Sequence, residues 1–347
     1  MKTELSLIAI AALVVSALLT GMVRRSALSK GMLDVPNERS SHKIPTPRGG
    51  GVAIVTATTA GLAALTIFGV LRLDVFGALC GSLAVAAIGF LDDRRPLSAR
   101  ARLAVHFAAA AWALAWLGGL PPLRAGEHVV TWGVSGYLLG SLFVVWTLNL
   151  FNFMDGIDGI AAAEAIFVTF GAALWLGLTS GIQGTGSACL ILAAASCGFL
   201  LWNWPPARIF MGDVGSGYLG YVIGVLAIVS TRDEPAALWV WLILGGLFFA
   251  DATITLVRRM IRGERLQEAH RNHAYQWLAR RWGAHRHVTI AALLVNLFWL
   301  LPCALMAAFY PRYAAWIACV ALAPVTLVLV AAGSGRQEIR SQPTGGT

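Results

Sequence analysis

Long apolar stretches recur along this 347-residue chain, separated by short segments that hold most of its polar residues. A run of about 20 apolar residues is long enough to cross a lipid bilayer as a helix. Eleven stretches approach or reach that length, and we predict a helix in each: 5–23, 50–70, 75–91, 103–117, 134–151, 160–178, 185–203, 215–230, 237–257, 288–309 and 313–332. The pattern predicts an all-α, polytopic membrane protein with one domain, residues 1–332, and a short polar cytoplasmic tail, 333–347.

Composition and charge agree with this class. The chain is 58% hydrophobic and 12% charged, with a mean hydropathy of +0.72, which excludes an ordinary soluble enzyme. If the spans alternate from an outside N-terminus, the inside segments hold 21 of the 26 Lys and Arg residues. Cytoplasmic loops carry such an excess, so the C-terminus is predicted to lie inside. The net charge of +9 therefore indicates anionic lipid, and not nucleic acid, as a partner.

The segment 149–159 is the most conspicuous polar interruption. Asn149, Asn152 and Asp155 recur at i, i+3 and i+6, which places them on roughly one face of a helix. Gly156 and Gly159 let the backbone open and approach a ligand closely. Oxygen-rich side chains in this setting suit Mg²⁺ and the phosphates that it carries. The alternative is a polar membrane-exit loop that Asn and Asp merely cap.

Other acidic residues stand at predicted span ends. Asp92 and Asp93 are adjacent and repel each other unless a metal or nearby arginines compensate. Asp213 is flanked by glycines just before a helix, whose N-terminus favours anions; Ser216 could instead be a plain N-cap. Asp251 lies inside a predicted span, where it is either a site acid or a hydrogen-bonding partner between helices.

Two basic segments complete the set. Residues 33–51 contain three prolines and three glycines in a stiff, extended loop that carries His42 and Arg48. Residues 258–287 contain His270, Arg271 and His273, without a third ligand at a spacing typical of zinc. Both segments could contact phosphate or sugar. Both could equally be anchors on anionic lipid.

Taken in order, these motifs resemble the polyprenyl-phosphate N-acetylhexosamine-1-phosphate transferases, also called glycosyltransferase family 4. The similarity extends over about residues 5–332 and looks closest to the branch that initiates O-antigen and related surface glycans. It implies transfer of a sugar 1-phosphate from a UDP-N-acetylhexosamine to undecaprenyl phosphate, with release of UMP. It also implies a Mg²⁺ cofactor (Mn²⁺ is the alternative ion), a cytoplasm-facing site in the bacterial inner membrane and, as a further expectation, a homodimer.

The resemblance also implies roles for individual residues. The candidate catalytic residues are Asp92, Asp93 and Asp155; the candidate metal ligands are Asn152 and Asp213; and the candidate nucleotide contacts are Asp158 and Asn149. The candidate phosphate or sugar contacts are His42, Arg48, Arg102, His270, Arg271 and His273. Two positions depart from the family pattern. His106 replaces a usual Gln, and His270-Arg-Asn-His273 replaces the commoner His-x-His-His, which leaves the sugar open.

Two other functional classes remain as alternatives. A transporter would be expected to carry acids near the membrane midplane, often with repeated or broken helices, whereas the acidic motifs here gather at one predicted face. A non-catalytic protein of the same fold would tolerate loss of Asp213. For an enzyme, direct in-line attack by the lipid phosphate is the preferred route, and a phospho-aspartate intermediate is the alternative.

Overall fold

The computed structural model describes residues 2–36, 44–125, 128–264 and 270–337. Apolar runs become helices because a helix satisfies all its backbone hydrogen bonds internally, which a bilayer demands. The helices are α1 Lys2–Ser29, α2 Gly51–Ile67, α3 Leu73–Asp92, α4 Ala99–Leu117, α5 Ser135–Met154, α6 Ile160–Thr179, α7 Gly184–Asn203, α8 Asp213–Ser230, α9 Ala237–Leu244, α10 Gly246–Ile261, α11 Ala274–Trp282, α12 His285–Val295, α13 Leu301–Phe309 and α14 Ala314–Ala332.

Every predicted span coincides with one or two of these helices, and the all-α polytopic class is confirmed. Within the described residues, eight helical segments are long and apolar enough to cross a membrane. A ninth is obtained if α9 and α10, which meet at an angle of 77°, count as one broken span. The other two predicted spans are α2, which has only 17 residues, and α4, which carries Arg100 and Arg102. The number of crossings and their orientation therefore stay predictions.

Helix α8 lies at the centre of the bundle. All of its residues after Asp213 are buried, and it packs against α2, α3 and α5. Glycines make this close packing possible: a Cβ on Gly89 of α3 would lie 2.5 Å from the Asp213 backbone carbonyl. A Cβ on Gly51 of α2 would collide with Gly215, and one on Gly220 with the Thr147 carbonyl. The N-terminus of α8 is thereby held against the ends of two neighbouring helices.

Two pairs of short strands lie in the loops between helices. β1 (Leu33–Asp34) pairs with β2 (Thr46–Pro47), and the next residues enter α2 beside the start of α8. There the Phe210 amide donates to the Pro47 carbonyl at 2.8 Å, and the Gly51 amide donates to the Met211 carbonyl at 2.9 Å. β3 (Leu123–Ala125) and β4 (His128–Val130) form a hairpin between α4 and α5. The β1–β2 pair thus fixes Arg48 next to Asp213.

The chain beyond α14 departs from the sequence expectation. The sequence predicts a short polar tail from Gly333 onward, but Ser334 is completely buried, and residues 333–336 turn back against α10 and α11. Gly333 and Gly335 have φ values of +107° and +70°, which permit this tight reversal. Residues 338–347 lie outside the described part of the chain.

Candidate active site

A network of carboxylates and guanidinium groups joins the start of α8 to the end of α3. Arg48 lies between two acids, with Nε 2.9 Å from Asp93 Oδ1 and Nη2 2.9 Å from Asp213 Oδ1. Arg102, near the start of α4, lies 2.8 Å from Asp92 Oδ2 and 3.3 Å from Asp213 Oδ2. Two arginines therefore bridge three aspartates that come from two helices, α3 and α8.

Asp93 has a second task in this network. Its Oδ1 accepts the Asp213 amide at 2.9 Å, and its Oδ2 accepts the Val214 amide at 3.3 Å. These amides belong to the first turn of α8, where backbone amides have no hydrogen-bond partner within the helix. Gly212, with a φ of +77°, leaves room for the carboxylate, because a Cβ there would collide with Asp93. Asp93 is thus an N-cap supplied by a neighbouring helix.

The network also shifts pKa values. Burial raises the pKa of Asp93 above its usual range, although Arg48 and the two amides oppose that shift. Burial alone would lower the pKa of Arg48, but Asp93 and Asp213 outweigh it and raise the pKa. The Arg48 guanidinium is therefore a permanent cation in the site.

Asp155 follows the last turn of α5 and lies close enough to interact electrostatically with Arg48, Asp93 and Asp213. Part of its surface reaches solvent, but the surrounding protein still desolvates the carboxyl and raises its pKa to about 7. Asp213 and Asp93 add to this effect, and Arg48 opposes it. The carboxyl is therefore close to half ionised at neutral pH, which suits a group that positions or exchanges a proton.

Asn152 and Asn149 lie on the same stretch of α5. The Asn152 side-chain amide donates to Ser216 Oγ at 3.0 Å, which leaves its carbonyl oxygen available as a ligand. The Asn149 amide donates to the Val145 carbonyl at 2.7 Å within the helix. Ser216 does not cap α8, which begins at Asp213, and its hydroxyl instead donates to the Gly212 carbonyl at 3.3 Å.

The donor chemistry suits a hard cation. In the described residues, no group of three or more His, Cys, Asp or Glu could hold a metal ion unaided. Magnesium at phosphate sites is usually held by one or two protein oxygens, with water and phosphate completing its shell. Asp213 and Asn152 both line one cavity, and their side chains offer the oxygens that this pattern requires.

That cavity has a volume of about 710 Å³ and joins two kinds of surface. Its polar end is lined by Arg102, Asn149, Asn152, Asp213, His270 and His273. Apolar side chains of α3, α4, α5 and α10 line the rest, among them Ile88, Leu103, Val145, Trp146 and Leu256. His106 also lines it, one helical turn after Arg102. The cavity can accept a molecule that is charged at one end and apolar along its length.

The histidine loop, residues 270–273 directly before α11, lies at the polar end of the cavity. His270 and His273 have ring centroids 5.0 Å apart. Burial lowers the pKa of His270 to about 3, and His273 and Arg259 add to the effect, so His270 is neutral at physiological pH. His273 is buried and, among the described residues, its Nε2 has no hydrogen-bond partner. Arg271 does not line the cavity; its carbonyl accepts from Arg280.

The predicted nucleotide contact at Asp158 lies outside this cavity. The Asp158 carboxylate accepts the Ala207 amide at 3.0 Å through Oδ2. His285 Nδ1, which accepts the Asp158 backbone amide at 3.3 Å, lies 3.1 Å from Oδ1. Asp158 is also absent from the cavity lining, so its nucleotide role stays a prediction. His42 lies outside the described residues, and its phosphate role likewise stays a prediction.

Sequence reasoning missed the residues that shape the site from behind. Asn203 is buried; its Oδ1 accepts the Gly159 amide at 3.0 Å, and its Nδ2 donates to the Ile209 carbonyl at 2.9 Å. It therefore ties the 149–159 turn to the segment before α8. Its only sequence signal was a polar residue between two tryptophans. Glu164 is a second buried acid within a span; Asn296 donates to its Oε2 at 2.6 Å.

Comparisons with known proteins agree with this geometry. The model of the family "Glycosyl transferase family 4" matches residues 75–231. A probable undecaprenyl-phosphate N-acetylglucosaminyl 1-phosphate transferase of Bacillus subtilis is 28% identical, over 83% of this chain and 80% of that protein. A decaprenyl-phosphate N-acetylglucosaminephosphotransferase of Mycolicibacterium smegmatis is 29% identical, over 85% of this chain and 79% of that protein.

A second branch is also similar. The phospho-N-acetylmuramoyl-pentapeptide-transferase of Gluconacetobacter diazotrophicus is 31% identical, over 64% of this chain and 68% of that protein. The matched family region covers Asp92, Asp93, Asn152 and Asp213, which the fold brings to one end of the bundle. The chain belongs to glycosyl transferase family 4, the superfamily of polyprenyl-phosphate N-acetylhexosamine-1-phosphate transferases.

Proposed function

We propose that the protein transfers an N-acetylhexosamine 1-phosphate from a UDP-sugar to undecaprenyl phosphate and releases UMP. The observation that carries this proposal is the 710 Å³ cavity, which combines an apolar trough with a polar end at Asp213 and Arg102. A polyprenyl phosphate has the same two-part chemistry. The relatives named for N-acetylglucosamine transfer favour UDP-N-acetylglucosamine as the first donor to test.

In the proposed reaction, an oxygen of the lipid phosphate attacks the phosphorus that carries the sugar. The phosphorus–oxygen bond to UMP breaks, and UMP leaves with the bonding electrons. Such transfer depends on positioning and charge neutralisation more than on covalent chemistry by the protein. Arg102, at the polar end of the cavity, would hold the lipid phosphate, and Arg48 would neutralise charge beside Asp213.

Mg²⁺, held by Asp213 and the Asn152 carbonyl oxygen, would neutralise the pyrophosphate. Asn152 is suited to this because Ser216 engages only its amide nitrogen. Asp155, with its pKa near 7, would adjust its ionisation as the charge of the ligands changes. These roles stay proposals until metal binding is measured.

The surroundings of Asp92 and Asp93 favour direct attack over a phospho-aspartate. Asp93 oxygens accept two amides and an arginine, and Asp92 accepts the Leu97 amide at 2.6 Å as well as Arg102. A carboxylate engaged in this way is a poor nucleophile because its lone pairs are already shared. Direct attack predicts no exchange of labelled UMP into UDP-sugar without undecaprenyl phosphate. Exchange that Asp93→Asn or Asp92→Asn abolishes would favour the covalent route.

The decisive experiment uses the purified full chain, undecaprenyl phosphate and a panel of UDP-N-acetylhexosamines. Released nucleotide and lipid product are identified by mass spectrometry. We expect UMP and a lipid diphosphate sugar for at least one donor, and no product with EDTA. Release of UDP in place of UMP, or turnover that EDTA leaves unchanged, would contradict the proposal. Adding UDP-N-acetylmuramoyl-pentapeptide to the panel distinguishes a peptidoglycan role from a surface-glycan role such as O-antigen initiation.

The orientation of the site is part of the proposal. The excess of basic residues on one side predicts that the site faces the cytoplasm of the bacterial inner membrane. Ser98, beside Asp92, and Asp233, after α8, lie at opposite ends of the bundle. A cysteine at position 98 should react with an impermeant reagent only from the cytoplasmic side, and one at position 233 only from outside. The reverse labelling would overturn the orientation.

A further inference from the structure

We propose that the turn after α14, through Ser334 and Asp251, positions the histidine loop for binding of the sugar-nucleotide donor. This inference rests on the proposed function and assigns a task to residues that contact neither substrate. Asp251 lies on α10, and Ser334 lies 83 positions later in the sequence. The two side chains meet in a buried cluster beneath His273.

Ser334 and Asp251 are in direct contact. Ser334 Oγ donates to Asp251 Oδ1 at 2.6 Å, and neither side chain has appreciable solvent exposure. A buried carboxylate needs several hydrogen-bond donors to offset the loss of water. Thr255 supplies another hydroxyl, 3.3 Å from Asp251 Oδ1. Ser334 is therefore an integral partner of a buried acid.

Asp251 also contacts the start of α11, directly after the histidine loop. Its Oδ1 accepts the Ala274 amide at 2.9 Å, and its Oδ2 accepts the Tyr275 amide at 3.3 Å. These are the first two residues of α11. His273 comes directly before them, with Nδ1 3.8 Å from Asp251 Oδ1. Asp251 thus fixes the end of α11 from which the histidine loop emerges.

Backbone contacts hold the turn from its other side. The Gly335 amide donates to the Asn272 carbonyl at 2.6 Å, within the histidine loop itself. Arg258 Nη1 donates to the Ser334 carbonyl at 2.5 Å, and Arg262 Nη1 donates to the Gly335 carbonyl at 2.8 Å. The turn therefore contacts the histidine loop through Asn272 and the end of α10 through the two arginines.

His273 connects this cluster to the cavity of the candidate active site. His273 lines the cavity, is buried, and has an Nε2 without a hydrogen-bond partner among the described residues. A buried ring nitrogen without a partner costs free energy, so it is suited to a ligand that supplies a hydroxyl or phosphate oxygen. The Tyr275 hydroxyl donates to the Phe153 carbonyl at 3.0 Å, next to Asn152. A shift of α11 would move both the His273 ring and the Tyr275 hydroxyl.

The test compares Ser334→Ala with Ser230→Ala. Ser230 is also buried and hydrogen-bonded, but it lies at the far end of α8 from Asp213. With the full chain, Ser334→Ala should raise KM for the UDP-sugar about tenfold, the scale of one lost hydrogen bond to a charged group. KM for undecaprenyl phosphate should change less than about twofold, and Ser230→Ala should change neither value. Equal changes in both KM values, or none, would overturn the proposal.

Two further measurements separate positioning from general loss of stability. If Ser334 acts through Asp251, adding Ser334→Ala to Asp251→Asn should raise donor KM little further; fully additive effects would reject that route. Hydrogen exchange of the Ala274 and Tyr275 amides should accelerate in Ser334→Ala, whereas the Asp213 and Val214 amides stay protected. This readout needs no substrate. Unchanged exchange would reject the proposal, and altered exchange in a protein inactive with every donor would instead reject the proposed function.

Discussion

The starts of α8 and α11 use the same device in different surroundings. Each helix is capped by an aspartate from a neighbouring helix, Asp93 for α8 and Asp251 for α11. Around Asp93, the arginines at 48 and 102 join several carboxylates beside the cavity. Around Asp251, the donors at hydrogen-bond distance among the described residues are backbone amides and hydroxyls.

The comparison shows that the cap alone does not define a catalytic site. A carboxylate favours any helix N-terminus by an amount on the order of 1 kcal/mol. What distinguishes the α8 cap is the fixed positive charge next to it, together with Asp213 on the first residue of the helix. Arginines that are already positioned where the charge on phosphate changes do not have to reorganise during the reaction. We therefore propose that the α8 region carries out the chemistry and that the α11 region positions the histidine loop.

The largest expected difference between the regions comes from Asp213→Asn. Loss of this carboxylate should lower turnover by roughly two to three orders of magnitude, as removal of one transition-state charge stabiliser does. Asp233→Asn, an exposed change after α8, is the matched control and should leave turnover unchanged. Turnover is measured as UMP release by purified protein. Near-normal, metal-dependent turnover in a folded Asp213→Asn protein would remove Asp213 from the chemistry.

The two caps themselves can be exchanged for amides. Asp93→Asn should lower kcat by roughly ten- to hundredfold, because Arg48 loses a charged partner next to the reacting groups. Asp251→Asn should act mainly on donor KM and on thermal stability. Steady-state kinetics with each substrate varied in turn separates the two effects. If both variants lower kcat alike, the proposed division between a catalytic α8 region and a positioning α11 region is wrong.

A smaller effect is expected when Arg48 becomes Lys. Arg48 contacts Asp93 through Nε and Asp213 through Nη2, which a single ammonium cannot reproduce. The charge remains, so activity should fall only about tenfold, as for the loss of one charged hydrogen bond. Arg262→Lys, beside the α11 region, should leave kcat unchanged. A kcat of wild-type size in Arg48→Lys would show that the bridging geometry is dispensable.

The smallest expected effect is a pH dependence that belongs to the α8 region. Desolvation and nearby carboxylates raise the pKa of Asp155 to about 7 in the folded protein, from an ordinary value of 3.8. Ionisation therefore costs stability, which is lost as pH rises from about 4 through 7. In EDTA, without substrate, the Tm of Asp155→Asn relative to wild type should rise over this range and then level off. Parallel Tm curves would contradict the raised pKa.

The sequence was sufficient to predict much of the fold because the bilayer restricts the choices. Each apolar run had to be helical, and every predicted span contains a helix. The break between α9 and α10 was not predicted, since Gly245 and Gly246 sit in an otherwise uniform apolar run. The structured turn at Ser334 was also missed. Its burial depends on a partner 83 residues away, which local composition does not reveal.

The site was only partly predictable for a related reason. Residue type and glycine neighbours singled out Asp93, Asn152 and Asp213, and these lie together at the start of α8. The roles of their partners depend on three-dimensional distance. Asp158 resembled its neighbours in the motif, yet its carboxylate is engaged by Ala207 and His285. Asn203 had no recognisable pattern, because its importance comes from joining two loops.

The contact between Ser334 and Asp251 has a consequence for biosynthesis. A chain emerging from the ribosome has α10 and the histidine loop in place long before residue 334 is added. The histidine loop is therefore expected to be held in place only after α14 and the turn that follows it have been synthesised. A transferase interrupted during synthesis would retain the Asp213 region but bind its sugar nucleotide weakly. Synthesis of this turn would thus act as a checkpoint before the proposed lipid acceptor is consumed.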